Sequence, residues 1–207
     1  IVILYLFLGD VRSSIVVVAT IVITPLVTFM AMNKLGLSAN LMSLAGLAIA
    51  VGLMVDGTVV VVENVFHKLG HAGPSRSERL RVILDATSEV AKPTIYGISI
   101  IILVFLPLMA LSGMEGKMFG PLALTIAIAL AVSLVVSLFL SPVLCSWLLK
   151  GGADHDTKPI ALMKRSYLKL LHAALAAEKK TIVVAVALLL ASFALFPLLG
   201  KSFIPTM

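Results

Sequence analysis

Long apolar runs alternate with shorter polar connectors along almost the whole chain. A helix needs about 20 apolar residues to cross the hydrocarbon core of a bilayer. Because lipid offers the backbone no hydrogen-bond partner, the α-helix is the open structure that can cross it. The pattern therefore predicts an all-α, polytopic transmembrane helix bundle. The predicted spans are residues 15–33, 41–62, 93–111, 120–149 and 181–199.

Residues 1–8, IVILYLFL, lie in an apolar run of their own. They have neither the basic start nor the small-residue cleavage site of a signal peptide. We therefore expect them to be the tail of a span that precedes the first predicted one. The predicted bundle then comprises residues 1–149, and residues 181–199 form a further span after a connector.

The composition supports a membrane protein and excludes several other classes. Hydrophobic residues make up 60% of the 207 residues and charged residues only 13%, whereas a soluble domain is nearer one half and one quarter. The single cysteine, Cys145, excludes an internal disulfide. The sequence has no phosphate-binding loop and no G-x-S-x-G motif. We therefore expect neither an ATPase nor a hydrolase, no cofactor and no nucleic-acid partner.

Basic residues are concentrated in every second connector. Thirteen of the sixteen lysines and arginines fall in residues 9–14, 63–92 and 150–180. Positive charge marks the cytoplasmic side of a membrane protein. We therefore place these three connectors in the cytoplasm and the short connectors 34–40 and 112–119 on the opposite side. Neither of those outer connectors is long enough to form a receptor domain.

The connector 150–180 contains a helical pattern of its own. Apolar residues recur there at spacings of three and four, with basic residues between them. This pattern predicts a basic amphipathic helix in the inner membrane interface; a solvated linker helix is the alternative. The apolar positions are Ile160, Met163, Tyr167, Leu170, Leu171 and Ala174, and the polar ones are Lys164, Arg165, Lys169 and His172.

One predicted span contains a carboxylate. The stretch GLMVDGTVVVVEN, residues 52–64, places Asp56 about fifteen residues into a crossing of about 20. A charge at that depth costs at least ~2.5 kcal/mol, which favours a use in an ion pathway, a proton relay or a buried pair. Ala48 and Gly52 precede it at intervals of four, and Gly46 and Ala50 are spaced likewise. Because small residues let another helix approach, we expect Asp56 on or beside a helix–helix contact.

Glu63 follows Asp56 by seven residues in the same stretch. On a helix it lies about 20° round and ~10 Å farther toward the cytoplasm. The two carboxylates then lie along one face, as steps of a proton path. Alternatively, Asp56 only pairs with a neighbouring helix and Glu63 reaches water from the end of the span. We expect Asn64 to form a hydrogen bond at this end.

A pair of histidines invites interpretation as a metal site. His67 and His71 are spaced by four residues, as two metal ligands on one helix are. Gly70 and the following AGPS indicate that the helix has already ended. We therefore interpret both histidines as residues of a solvated loop.

At this point the sequence resembles a known family. GLMVDGTVVVVENV resembles the signature of the fourth transmembrane helix of resistance–nodulation–division (RND) efflux pumps. FLGDVRSS resembles the cytoplasmic turn after the second helix, GMEGKMFGPLALTIAIALAVSLVVSLFLSPVL the sixth helix with its preceding loop, and GKSFIPTM the start of the second periplasmic half. The resemblance covers essentially the whole chain. It implies a segment from the end of the second to the seventh transmembrane helix, with residues 200–207 beginning a periplasmic region.

Within the family, the pattern around Asp56 is most similar to the heavy-metal efflux branch. Drug-efflux members usually carry two adjacent aspartates in this helix, whereas here Gly57 follows Asp56. A glutamate seven residues on and the stretch EGKMFGPLALT are also more similar to the heavy-metal branch. The resemblance implies that Asp56 is the proton-relay carboxylate and that Glu63 is a second relay or an acid on the metal path.

The resemblance also implies two candidate metal ligands. Met42 and Met54 match two of the transmembrane methionines of the copper–silver type, whose thioethers suit monovalent copper and silver. Leu130 stands where we align a third methionine, and Ala50 where the zinc–cobalt type often carries another acid. Alternatively, both methionines only fill gaps in the packing.

For the whole protein, the resemblance implies proton-driven efflux of heavy-metal cations across the bacterial inner membrane. Such a pump is a multi-pass secondary transporter, not an enzyme. It is usually a homotrimer in membrane lipid, joined to a periplasmic adaptor and an outer-membrane channel. The alternatives are a multidrug exporter with the same engine, or a non-efflux relative such as a sterol-sensing or protein-translocation component.

Overall fold

The structure is a computed structural model that describes residues 9–71, 76–149 and 158–195. The regular elements in these ranges are all helical, which confirms the predicted all-α class. The chain divides into two compact units, Ile1–His155 and Asp156–Met207. Residues 1–8 and 200–207, predicted to end one span and to begin a periplasmic region, lie outside the described residues.

The first unit is a bundle of long apolar helices. Four stretches in it are long and apolar enough to cross a membrane, namely Val11–Lys34, Leu41–Gly70, Glu78–Met109 and Gly113–Leu148. They contain the first two predicted spans completely, the third except for residues 110 and 111, and the fourth except for residue 149. In chain order the helices are α1 (Val11–Lys34), α2 (Leu41–His71), α3 (Arg76–Met109), α4 (Gly113–Val135), a π-helical segment (Val136–Leu140) and α5 (Ser141–Leu148).

Helices α2 and α3 are longer than the apolar runs within them. α2 continues past residue 62 to His71, and α3 begins at Arg76, well before residue 93. The interpretation of His67 and His71 as loop residues is therefore wrong. A glycine such as Gly70 costs a helix only about 1 kcal/mol relative to alanine, and the neighbouring Leu69 is buried in the core. Packing of this last turn offsets the cost of the glycine.

Polar caps fix where α1 and α2 begin. The carboxylate of Asp10 accepts a hydrogen bond from the backbone N–H of Ser13 at 3.0 Å. In the same way, the side-chain oxygen of Asn40 accepts one from the N–H of Ser43 at 2.9 Å. These caps satisfy amides that have no intrahelical partner in a first turn. Between the two helices Gly36 has φ +70°, a left-handed conformation that glycine adopts without strain.

Two clusters of buried side chains hold the first unit together, and α2 contributes to both. The first cluster joins α2 to α1, α3 and α5, and the second joins α2 to α3 and α4. Helix α2 is therefore the central helix of this unit. The first cluster comprises Val16, Val17, Val61, Val62, Val65, Leu69, Ile83, Ala86, Cys145 and Leu149, and the second Leu47, Ala50, Met54, Ile98, Ile126, Ala129 and Leu130.

The π-helical segment has an identifiable cause in the sequence. Pro142 has no N–H, and its ring would clash with the carbonyl four residues earlier in a regular α-helix. The helix instead widens by one residue, so that the backbone N–H of Ser141 bonds to the carbonyl of Val136. The hydroxyl of Ser141 donates to the same carbonyl at 3.3 Å. This local widening lets one apolar crossing continue from α4 into α5.

The second unit contains two helices, α6 (Lys158–Ala176) and α7 (Glu178–Leu195). α6 covers the predicted amphipathic pattern, and apolar side chains such as Leu162, Met163 and Tyr167 are exposed. Its position in a membrane interface stays a prediction. α7 covers residues 181–195 of the last predicted span and begins with three charged residues. Residues 196–199 lie outside the described residues, so this crossing also stays a prediction.

Candidate functional site

Asp56 lies on the side of α2 that the rest of the unit leaves uncovered. Its side chain is exposed, whereas the next residue, Gly57, is buried. Ala48 and Gly52 share this uncovered side and are also exposed. Apart from its chain neighbours and the adjacent backbone of α2, no described residue places an atom within 4 Å of a Cβ built on Gly52. Glu63 and His67 also lie on this uncovered side and are exposed. We call the side that carries Ala48, Gly52, Asp56, Glu63 and His67 the open face of α2.

The opposite side of α2 makes the helix–helix contacts of the unit. Gly46 and Ala50 are buried there, and a Cβ added to Gly46 would lie 2.7 Å from the backbone oxygen of Leu122 on α4. We call this side, with Met54 and Gly57, the packed face. The expected contact of small residues therefore forms at Gly46 and Ala50. Within this unit, Ala48 and Gly52 do not make one.

The turn that carries Asp56 is held from behind by α3 and α4. The hydroxyl of Ser133 on α4 donates to the backbone oxygen of Met54 at 3.2 Å. A Cβ on Gly57 would meet Thr94 at 3.5 Å and both Ile98 and Ser137 at 3.6 Å. These are ordinary van der Waals distances, so alanine fits there. A longer carboxylate side chain would have to enter this packed contact, which explains physically why a single aspartate suits this arrangement.

Polar side chains tie the end of α2 to α3. The amide of Asn64 donates to the carbonyl oxygen of Ala86 at 2.8 Å and to the carboxylate of Glu89 at 3.1 Å. The ammonium of Lys68 lies 2.6 Å from the same Glu89 oxygen. We call Asn64, Lys68 and Glu89 the polar tie. It confirms the hydrogen-bonding role expected of Asn64, while the neighbouring Glu63 side chain is exposed on the open face.

Sequence reasoning missed Glu89 because it treated residues 63–92 as a connector. The available signal was the spacing of polar residues. Asn64 and Lys68 are four residues apart on one helix, and Asp85 and Glu89 are four residues apart on the next. Residues at this spacing lie on the same side of a helix. Extending both helices through the connector would have brought the two pairs together.

An open cavity of about 280 Å³ lies beside this end of α2. His67 and Lys68 of α2 and Val82 and Asp85 of α3 line it. Because α2 reaches His71, His67 is four residues after Glu63 on one helix, and residues at that spacing are neighbours on the helix surface. The structure thus brings Glu63, His67 and Asp85 to the same end of the α2–α3 pair.

The two candidate methionines lie in different surroundings. Met54 is 4% exposed and belongs to the apolar second cluster, together with Leu130. Met42 is half-buried near the start of α2. Twelve residues of helix separate them by about 18 Å, so they cannot share one ion. Within residues 9–71, 76–149 and 158–195, no group of three His, Cys, Asp or Glu side chains could hold a metal.

Asp56 is thus a carboxylate on an uncovered helix face within an apolar helix bundle, and such a residue marks a candidate functional site. The chain belongs to the AcrB/AcrD/AcrF family, which it matches over residues 1–207.

Several relatives make this placement more specific. The chain is 38% identical over 213 residues to protein HelA of Legionella pneumophila, covering 100% of this chain and 20% of that protein. It is 36% identical over 214 residues to the cobalt-zinc-cadmium resistance protein CzcA of Cupriavidus metallidurans, with the same coverage of 100% and 20%. A crystal structure of a heavy metal efflux pump matches with a TM-score of 0.77 and 32% identity, covering 99% of this chain and 19% of that one.

These matches confirm the resemblance to the heavy-metal branch of the RND family. Together with the four apolar helices, they define a multi-pass segment of an inner-membrane protein. The chain spans about a fifth of the length of the curated relatives it matches.

Proposed function

We propose that this chain is the part of a heavy-metal RND exporter in which protons drive transport, with Asp56 as the proton-relay carboxylate. The observation that carries the proposal is the position of Asp56, exposed on the open face in the middle of an apolar helix. A carboxylate that served only to join the helices of this unit would lie on the packed face. On the open face it is accessible to a proton and to a partner group.

Rigid support for the Asp56 turn favours the same role. Ser133 holds the Met54 carbonyl, and Gly57 packs against α3 and the π-helical segment. A change in the charge of Asp56 would act on a helix that is in contact with four others. We propose that protonation of Asp56 alters the packing of α2 and thereby drives the transport cycle.

Glu63 is the second relay group in this proposal. It is exposed on the same face, about 10 Å farther along α2. That distance is too long for direct transfer, so water must carry the proton between the two carboxylates. Glu63 lies near the end of the apolar run, where water can reach it. We therefore expect transport to depend less on Glu63 than on Asp56.

The proposed substrates are heavy-metal cations. Support comes from the name of the relative CzcA, from the heavy-metal efflux pump whose structure matches, and from the glycine that follows Asp56. Met42 and Met54 are candidate contacts for a soft cation. Their separation means that each would touch the ion at a different stage of its path. We further propose that the whole protein works as a homotrimer with a periplasmic adaptor and an outer-membrane channel.

The test is transport by the full-length protein in inverted membrane vesicles energised with a proton gradient. Uptake of Zn²⁺, Co²⁺ and Cu⁺ is measured separately for the parent and for Asp56→Asn. Asparagine keeps the shape and the hydrogen bonds of aspartate but carries no titratable proton. We expect uptake of the transported metal to be abolished at parental protein levels.

Glu115→Gln is the matched control, because Glu115 is an exposed carboxylate in the first turn of α4. It should transport at the parental rate. Substantial metal uptake by Asp56→Asn would overturn the relay role. Export of a cationic dye without any metal uptake by the parent would support the multidrug alternative instead.

A further inference from the structure

Three titratable side chains lie along the open face of α2. Because α2 is continuous to His71, Asp56, Glu63 and His67 can be placed on one helical wheel. Relative to Asp56, Glu63 lies about 20° to one side and His67 about 20° to the other. All three side chains are exposed in this unit. The line therefore runs from mid-helix to the last turn of α2.

The end of this line opens into the cavity lined by His67, Lys68, Val82 and Asp85. Glu63 is the neighbour of His67 one turn back on α2, and Asp85 lies across the cavity on α3. The charge of Lys68 is compensated by Glu89 at 2.6 Å. Farther along α3, Arg79 is engaged by the carbonyl of Leu149. The described groups at this end therefore include two acids, Glu63 and Asp85, and one lysine that is already paired.

An imidazole gains and loses a proton in the neutral pH range, which is the range of bulk cytoplasm. Carboxylates alone hold protons less readily there. A histidine at the end of this line can therefore exchange protons between the two carboxylates and water.

We propose that His67 is the residue through which the relay exchanges protons with the cytoplasm; this rests on the proposed function of Asp56. A proton leaving the carboxyl of Asp56 reaches the Glu63 carboxylate through water. From Glu63 it passes to the neutral nitrogen of the His67 imidazole, which becomes imidazolium. The imidazolium releases the proton to water in the cavity. Glu63 and His67 thereby return to their starting states, and Asp56 is left as a carboxylate, ready to accept the next proton.

Chemical rescue tests this role. In inverted vesicles the cytoplasmic face is outside, so buffer added to the medium reaches His67. Full-length His67→Gln is compared with the parent in weakly buffered medium, with metal uptake as the readout. We expect a severalfold slower uptake by the variant, restored toward the parental rate when free imidazole is added. The parent should respond little to imidazole, because its own proton exchange is already fast.

A purely structural role would give a different result, since imidazole in solution cannot repair packing. His172→Gln, an exposed histidine on α6, is the matched control and should be unaffected by either condition. Parental uptake by His67→Gln, or slow uptake that imidazole does not restore, would overturn the proposal.

Asp56→Asn in the same assay separates this proposal from the relay itself. If Asp56→Asn is inactive with and without imidazole while His67→Gln is not restored, only the role of His67 fails. If Asp56→Asn transports metal, the relay fails, and the role of His67 fails with it.

Discussion

The two faces of α2 use different residues for different purposes. The packed face carries Gly46, Ala50, Met54 and Gly57, all buried against neighbouring helices. The open face carries small residues at the same spacing, but the described part of the chain leaves them uncovered. The same spacing of small residues thus marks a formed contact on one face and an available one on the other.

The three ionisable side chains proposed for proton transfer all lie on the open face. Asp56, Glu63 and His67 all lie there, whereas the packed face has no ionisable side chain among the residues just named. This division is physically reasonable, because a charge among Leu47, Ile126 and Leu130 would be desolvated without compensation. A helix can therefore be anchored through one face while the other changes its protonation state.

The largest expected effects are on transport and concern the two acids. Asp56→Asn should abolish metal uptake, as proposed above. Glu63→Gln should reduce it by less than about tenfold, below the 10²- to 10⁴-fold of a committed proton-transfer group. The reason is that Glu63 is close to water, which can replace it. Uptake rates in the vesicle assay measure both. If Glu63→Gln were as inactive as Asp56→Asn, water would not be a substitute at that position.

Paired glycine substitutions should separate the faces by stability. Gly46→Ala places a Cβ 2.7 Å from a backbone oxygen of α4, and the helices must move apart at a cost of about 1–3 kcal/mol. Gly52→Ala meets no described atom within 4 Å and should stabilise the helix by up to about 1 kcal/mol. Thermal unfolding of the purified full-length protein in detergent measures the difference. Equal losses from both variants would show that another element covers the open face.

Met54→Leu tests whether the Met54 side chain on the packed face serves only in packing. Met54 is 4% exposed among apolar side chains, and leucine has nearly the same volume. We expect a cost below about 1.5 kcal/mol and near-parental uptake of Cu⁺ and Zn²⁺. Met42→Leu provides the comparison at a half-buried site. A specific loss of Cu⁺ uptake by a stable Met54→Leu protein would assign the thioether to the metal path.

Much of the fold could be predicted from hydrophobicity, because a membrane-spanning helix must be long and apolar. The apolar run at 15–33 therefore matched α1 closely, and the run at 41–62 matched the start of α2. The helical ends beyond them could not be predicted in this way. Residues such as Lys68 and Glu89 are polar, and their helical state depends on contacts between α2 and α3.

Of the candidate site, Asp56 could be predicted from the sequence, whereas the helical position of His67 could not, for a similar reason. Asp56 is conspicuous because a carboxylate is costly in an apolar run. His67 was misinterpreted because Gly70 suggested a helix end, whereas burial of Leu69 keeps the last turn helical. Local signals describe intrinsic preference, and tertiary packing overrode them at this end of α2.

The smallest expected effect comes from the polar tie. Lys68 and Glu89 are in contact at 2.6 Å, but their side chains are 37% and 58% exposed, so water and salt screen their attraction. Lys68→Gln should lower the melting temperature less than Gly46→Ala does, and the difference from the parent should vanish in molar salt. Lys34→Gln, at an exposed lysine in the last turn of α1, is the control. Asn64 still bonds to the Ala86 carbonyl in the variant, so α2 stays joined to α3 and metal uptake should be retained. A loss of uptake that persists in high salt would mean that the ammonium acts on the open face, not only as part of the tie.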